Sequence, residues 1–248
     1  MISEMFAHGF IQRAFIGGVL VSLCAALLGV SLVLKRYSMI GDGLSHVSFG
    51  ALSIAIAFGF APIKFSIPIV IIAAFFLLRL AENGKMKSDA AIAMVSASSL
   101  AIGVIVTSLT TGLSTDVCSY MFGSILAMSK DDVIFSVVLS VVVLIMFGFC
   151  YHRIFAVTFD ESFSKATGVK VGMYNTLISI FTAVTVVLGI KMMGAMLISS
   201  LIIFPALTSM RVFKSFLSVT ICSAVIAMIN FIAGLIASYV LSIPAGAS

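Results

Sequence analysis

Residues 14–34 read AFIGGVLVSLCAALLGVSLVL, an uncharged run that ends directly at Lys35-Arg36. At ~1.5 Å of rise per residue, a helix of this length crosses the ~30 Å hydrocarbon core of a bilayer. A cleavable leader has an apolar core of only ~7–15 residues, preceded by positive charge. Here the basic pair follows instead, so the run is a true membrane span. The rest of the chain has the same character: of 248 residues, 62% are hydrophobic and 9% charged. Soluble globular chains average ~45–50% and ~25%. The mean hydropathy of +1.29 agrees. Most residues must therefore face lipid or one another.

Working outward, apolar runs predict about eight spans, near 13–35, 45–61, 65–82, 89–110, 132–151, 172–190, 192–212 and 215–242. The fold class is all-α, a polytopic transmembrane bundle in a single domain, 1–248. Basic residues between the runs alternate in number. One set of connections holds Lys35, Arg36, Arg79, Lys85, Lys87, Arg153, Lys165, Lys170, Arg211 and Lys214. The other holds only Arg13, Lys64, Lys130 and Lys191. The positive-inside rule places the richer set in the cytoplasm and the N-terminus outside. The excess of basic residues (net charge +5) is thus a topology signal. It is dispersed rather than gathered in a patch, so no nucleic-acid partner is expected. Cys24, Cys118, Cys150 and Cys222 form no CxxC pair and read as small buried hydrophobes. No nucleotide site, redox-cofactor motif or large soluble part is visible. If the chain moves a solute, its energy comes from another subunit.

Three segments carry candidate chemistry. In Gly41-Asp42-Gly43-Leu44-Ser45-His46, Asp42 and His46 stand four apart, on one face of a helix. Charge inside a span costs ~2.5–3.5 kcal/mol, so it is retained mainly where it faces a cavity or a partner. A carboxylate and an imidazole suit a divalent transition metal. Equally, Asp42 can simply hold His46 or cap the second span. Gly41 and Gly43 allow the backbone to bend. In the loop 158–168, Asp160 is a good N-cap and Gly168 a good residue to follow a helix end. Glu161 lies early and Lys165 late, as the helix dipole favours. Phe159, Phe163 and Ala166 form one apolar face, for a partner or for the headgroups. Third, Pro205 sits mid-span and frees the carbonyl of Leu201. Gly194, Ala195 and Ser199 allow close helix approach. Met192, Met193 and Met196 read as apolar packing rather than a soft-metal path.

Taken in order, Arg36-Tyr-Ser-Met-Ile-Gly-Asp-Gly-Leu-Ser-His46, Tyr120-Met-Phe-Gly-Ser-Ile-Leu126, Phe159-Asp160, Ala166-Thr-Gly168, Val187-Leu-Gly189, Gly194, Ser199, Phe204-Pro-Ala206 and Pro244-Ala-Gly-Ala247 resemble the ABC-3 family. These are permease subunits of bacterial zinc, manganese and iron ABC importers. The resemblance implies a non-enzymatic permease in the bacterial inner membrane, working as a homodimer around a central path. A cytoplasmic ATPase subunit would dock on a coupling helix near 159–168, through Phe159, Asp160, Glu161, Phe163, Ala166 and Gly168. An extracytoplasmic metal-binding lipoprotein or periplasmic protein would deliver the ion. Asp42 and His46 would be the metal-contacting pair. The metal ion is cargo, and no permanently bound cofactor is implied.

The chain departs from the family in two places. After His46 it reads Val-Ser-Phe-Gly, where members carry Leu-Pro-Gly, so a different local bend is expected. Members also continue past the Pro-Ala-Gly-Ala motif with a further apolar stretch, so a final segment beyond Ser248 is expected. Three other functions compete. An intramembrane enzyme needs a nucleophile–base set, but His8, His46 and His152 are far apart in sequence. An ion-coupled secondary metal transporter often shows inverted repeats, and none is visible. A permease for cobalamin or a siderophore shares the general plan, but the Asp42/His46 pair favours a bare ion.

Overall fold

The computed structural model describes residues 9–37, 39–82, 88–110, 123, 130–241, 243 and 246. Among them the chain forms helices α1 (Gly9–Leu34), α2 (Ile40–Ala57), α3 (Pro62–Glu82), α4 (Ser88–Thr110), α5 (Lys130–Phe159), α6 (Glu161–Ala166), α7 (Val171–Val212) and α8 (Phe216–Leu241). Six of these are long and apolar enough to cross a membrane, and Pro62–Leu77 in α3 is a shorter apolar helix. Tyr120–Leu126 lies outside the described residues apart from Gly123, and of the Pro244–Ala247 motif only Gly246 is described.

The 42 residues of α7 would measure ~63 Å if straight, twice the hydrocarbon core. They are not straight. Gly194 has φ 83° and ψ 166°, outside the helical region. A Cβ placed on Gly189 would lie 3.2 Å from Cβ of Ile198. Nine residues of continuous helix would separate these positions by ~13 Å. The chain therefore doubles back at Gly194. Residues 171–193 run antiparallel to α1 and 195–212 run parallel to it, because Asn175 meets Lys35, Met192 lies over Gly17 and Ile202 over Gly29. With α7 counted as two crossings and α3 as one, the described residues hold eight crossings, the number expected. Gly194, expected to serve close packing, instead makes the reversal.

Contacts at the two ends follow the charge alternation. Lys35 bonds Glu161 and Asn175 at one end. Lys191 bonds Asp132 at the other, at 2.7 Å. The spans α1, α2 and α7 are the most buried; α4 and α5 are the least. The outer helices bear large exposed apolar side chains such as Leu109 (82%) and Phe149 (84%), as lipid contact requires. Glycines set the closest approaches. A Cβ on Gly29 would fall 2.0 Å from the carbonyl oxygen of Ile202, and one on Gly50 would fall 2.8 Å from that of Ser99.

Two expected boundaries shift. The second span begins at Ile40 rather than near 45, so Asp42 and His46 lie within helix α2. Gly41 and Gly43 do not bend the chain. Both are inside α2, where their missing side chains admit Ile202 and Ile92; a Cβ would meet these at 2.9 and 2.6 Å. The fifth span continues two turns past 151 to Phe159, because Ile154 and Val157 are completely buried.

α1 ends in a six-residue cap. Tyr37 N–H donates to the Leu32 carbonyl (2.8 Å) and Arg36 N–H to that of Val33 (3.1 Å). This motif normally places glycine where Arg36 stands, in left-handed backbone, and Arg36 has φ 62°. A non-glycine residue there costs ~1 kcal/mol or more. Replacing Arg36 with glycine should therefore raise stability by ~1 kcal/mol. A thermal unfolding midpoint in detergent at or below that of the unaltered protein would contradict this.

Candidate functional site

Asp42 occupies the first turn of α2, where the helix dipole favours a carboxylate. The helix is capped by Met39 without a side-chain bond, so Asp42 is not the cap. Between Ile40 and Ser53 every α2 residue is buried except Asp42 and His46. Their side chains are 43% and 22% exposed. Over these fourteen residues the open strip is therefore the acid and the imidazole. Asp42 Oδ2 and His46 Nε2 lie 3.8 Å apart, beyond a hydrogen bond. Two donors at this spacing can both reach one ion held ~2.1 Å from each.

The strip also lies a short way in from one end of the bundle. Gly41 packs on Ile202, and Ile202 packs on Gly29, which sits about five residues, or ~7–8 Å, above the end of α1. Among the described residues no group of three or more His, Cys, Asp or Glu side chains converges. Among the described residues the pair therefore has no third carboxylate, imidazole or thiol beside it. A crevice of about 340 Å³ at the Lys191 end, lined by Lys64, Asp131, Asp132 and apolar neighbours, does not include the pair.

The loop helix forms as expected. Asp160 has extended backbone, and its carboxylate accepts from Phe163 N–H at 2.9 Å. Gly168 follows the last turn at φ 81°. Gly168 N–H donates to Lys165 carbonyl and Val169 N–H to Ser164 carbonyl (3.1 and 2.9 Å), the same cap geometry as at α1. Phe159 (61%) and Phe163 (65%) stand exposed, with Ala166 exposed beside them.

Glu161 turns the other way. Lys35 Nζ donates to Glu161 Oε1 at 2.7 Å and to Asn175 Oδ1 at 2.6 Å, while Asn175 Nδ2 donates to the same Glu161 oxygen at 3.1 Å. Burial alone would raise the Glu161 pKa. The hydrogen bonds from Lys35 and Asn175, with the positive charges of Lys35 and Lys165, outweigh that and hold it below the usual carboxylate value. A lowered carboxyl pKa stabilises the fold above the unfolded pKa, and this contribution is lost as pH falls through the folded one. Sequence reasoning assigned Lys35 only to topology and passed over Asn175. Their partners lie 126 and 140 positions from Lys35, and no local signal marks them.

The remaining candidates serve structure. Ser199 donates its hydroxyl to the Ala195 carbonyl, and Ser209 to that of Pro205. The helix continues through Pro205. Met192 and Met193 are buried in the core cluster, as packing predicts. Cys24, Cys150 and Cys222 are free; Cys118 lies outside the described residues.

Comparison with known proteins places this geometry. The profile described as the ABC 3 transport family matches residues 7–248. A probable metal transport system membrane protein of Treponema pallidum is 31% identical over 243 residues, 98% of this chain and 91% of that protein. The high-affinity zinc uptake system membrane protein ZnuB of Haemophilus influenzae is 27% identical over 235 residues, 95% of this chain and 90% of that one. Among solved structures, PsaBC from Streptococcus pneumoniae in complex with Fab superposes with a TM-score of 0.87 at 27% identity, covering 100% of this chain and 90% of its counterpart.

Proposed function

The chain belongs to the ABC 3 transport family, and from that premise we propose that it is the membrane-spanning permease subunit of an ATP-driven importer for divalent transition-metal ions. The observation that carries this reading is the open strip of α2. Over Ile40–Ser53, where the rest of the helix is buried, only Asp42 and His46 stand uncovered. Two such groups facing lipid would be costly, so the strip faces a water-filled path or a second copy of the chain. A homodimer about a central path brings two donors from each copy, the four that a tetrahedral ion takes. Held by so few groups from each side, the ion can leave again. Oxygen and nitrogen donors accept zinc, manganese and iron alike.

The other partners follow from the two ends of the bundle. The exposed Phe159 at the end of α5, with Phe163 and Ala166 on capped α6, offers a small apolar surface to a cytoplasmic ATPase subunit. Asp160 and Gly168 fix the ends of that helix, and Glu161 faces the bundle. An extracytoplasmic metal-binding protein would meet the opposite end. The charge alternation supports a multi-pass inner-membrane subunit with its N-terminus outside. The permease itself performs no bond chemistry; hydrolysis belongs to the ATPase.

Vesicles holding this chain with its ATPase, and supplied with the binding protein, should accumulate metal only when ATP is present on the ATPase side. Uptake that continues without ATP or without the ATPase would make the chain an ion-coupled carrier instead.

A further inference from the structure

Phe163, the single phenyl ring of α6, stands exposed, and the helix buries only Ser164 of its six residues. Its polar tie to the spans is Glu161. That carboxylate meets Lys35, whose side chain is 6% exposed, and Asn175, which is 3% exposed. Lys35 closes α1; the next residue, Arg36, holds left-handed backbone; α2 begins at Ile40. Six residues lie between Lys35 and Asp42, and the intervening chain is short of slack. Ile40 N–H bonds the Tyr37 carbonyl and Gly43 N–H bonds that of Met39.

We propose that Lys35, Glu161 and Asn175 are positioning residues for transport, linking the ATPase-docking helix α6 to the metal pair through the Arg36 turn. The inference rests on the reading of α6 as the docking helix and of Asp42/His46 as the metal pair. A displacement of α6 reaches Lys35 through a 2.7 Å ion pair. Lys35 is a long side chain whose ammonium has left water, so it cannot slide to a new partner without losing both bonds. The movement therefore passes to the backbone at 35–36, where the strained conformation is the place to absorb a rotation. The α2 strip follows. Asn175 holds the start of α7 in the same triangle, so the reaction force is taken by the central hairpin.

The test uses the complete importer in vesicles and reads two rates together, ATP hydrolysis and metal ions delivered per ATP. Glu161→Gln keeps an acceptor and removes the charge; Asn175→Ala leaves the ion pair and removes the brace. Each should assemble with the ATPase and still hydrolyse ATP, while ions delivered per ATP fall about tenfold, within the usual range of coupling between sites. The exchange Lys35→Glu with Glu161→Lys should recover delivery above either single exchange. Unchanged ions per ATP in both Glu161→Gln and Asn175→Ala would overturn the proposal. So would loss of ATPase assembly in both variants, which would make the triad a fold element only. Failure of the unaltered importer to couple ATP to metal uptake would instead overturn the permease reading itself.

Discussion

Replacing Asp42 and His46 together with alanine should lower metal uptake by at least about a hundredfold while the ATPase still binds. Loss of a group that merely supports a metal ligand costs ~10–100-fold, and this change removes both donors from each chain. Either single exchange leaves one donor per copy and should cost less. Both side chains stand on the uncovered strip of α2, so their truncation opens no cavity in the core. Co-purification of the ATPase with the variant checks assembly, and metal uptake in vesicles checks transport. Normal uptake in the double variant would remove the pair from the ion's path.

The second large effect concerns the fold. Gly194→Val should destabilise the protein by ~3 kcal/mol or more and sharply reduce folded yield. At φ 83° and ψ 166° the backbone lies in a region nearly reserved for glycine, and one such strained residue costs ~1–3 kcal/mol. A β-branched side chain is the worst case there. The backbone also has no room to relax. Gly123 is pressed against it so closely that a Cβ would lie 2.4 Å from the Met193 carbonyl carbon. Gly194→Ala should show the same effect in smaller measure. Thermal unfolding in detergent reports both, and an unchanged midpoint for the valine variant would mean that the chain does not reverse on this residue.

Local signals in the sequence were readable. The uncharged run 14–34 and the capped segment from Asp160 to Gly168 each depend on neighbours within a few positions, and each forms the helix expected of it. Spacing alone put Asp42 and His46 on one helix face. The burial of the helix around that face involves Ile92 and Ile202, which no nearby residue announces. Gly194 was noticed for its size, but its backbone angle is set by packing on Gly123 and by the return of Ile198 toward Gly189. The Lys35 triangle was invisible for the same reason. An ion pair spanning 126 positions leaves no periodicity, and a lysine after an apolar run reads as topology.

The hairpin at Gly194 also bears on how the chain is made. Lys191 is the sole charged residue between Lys170 and Arg211. When the ribosome delivers this stretch, a single ammonium must be carried through hydrocarbon, with no hydrophilic loop to drag behind it. Asp132, which meets that ammonium at 2.7 Å, belongs to an earlier-synthesised helix. The α7 hairpin thus finds its anchor already made, and the order of synthesis matches the order in which the two charges need each other.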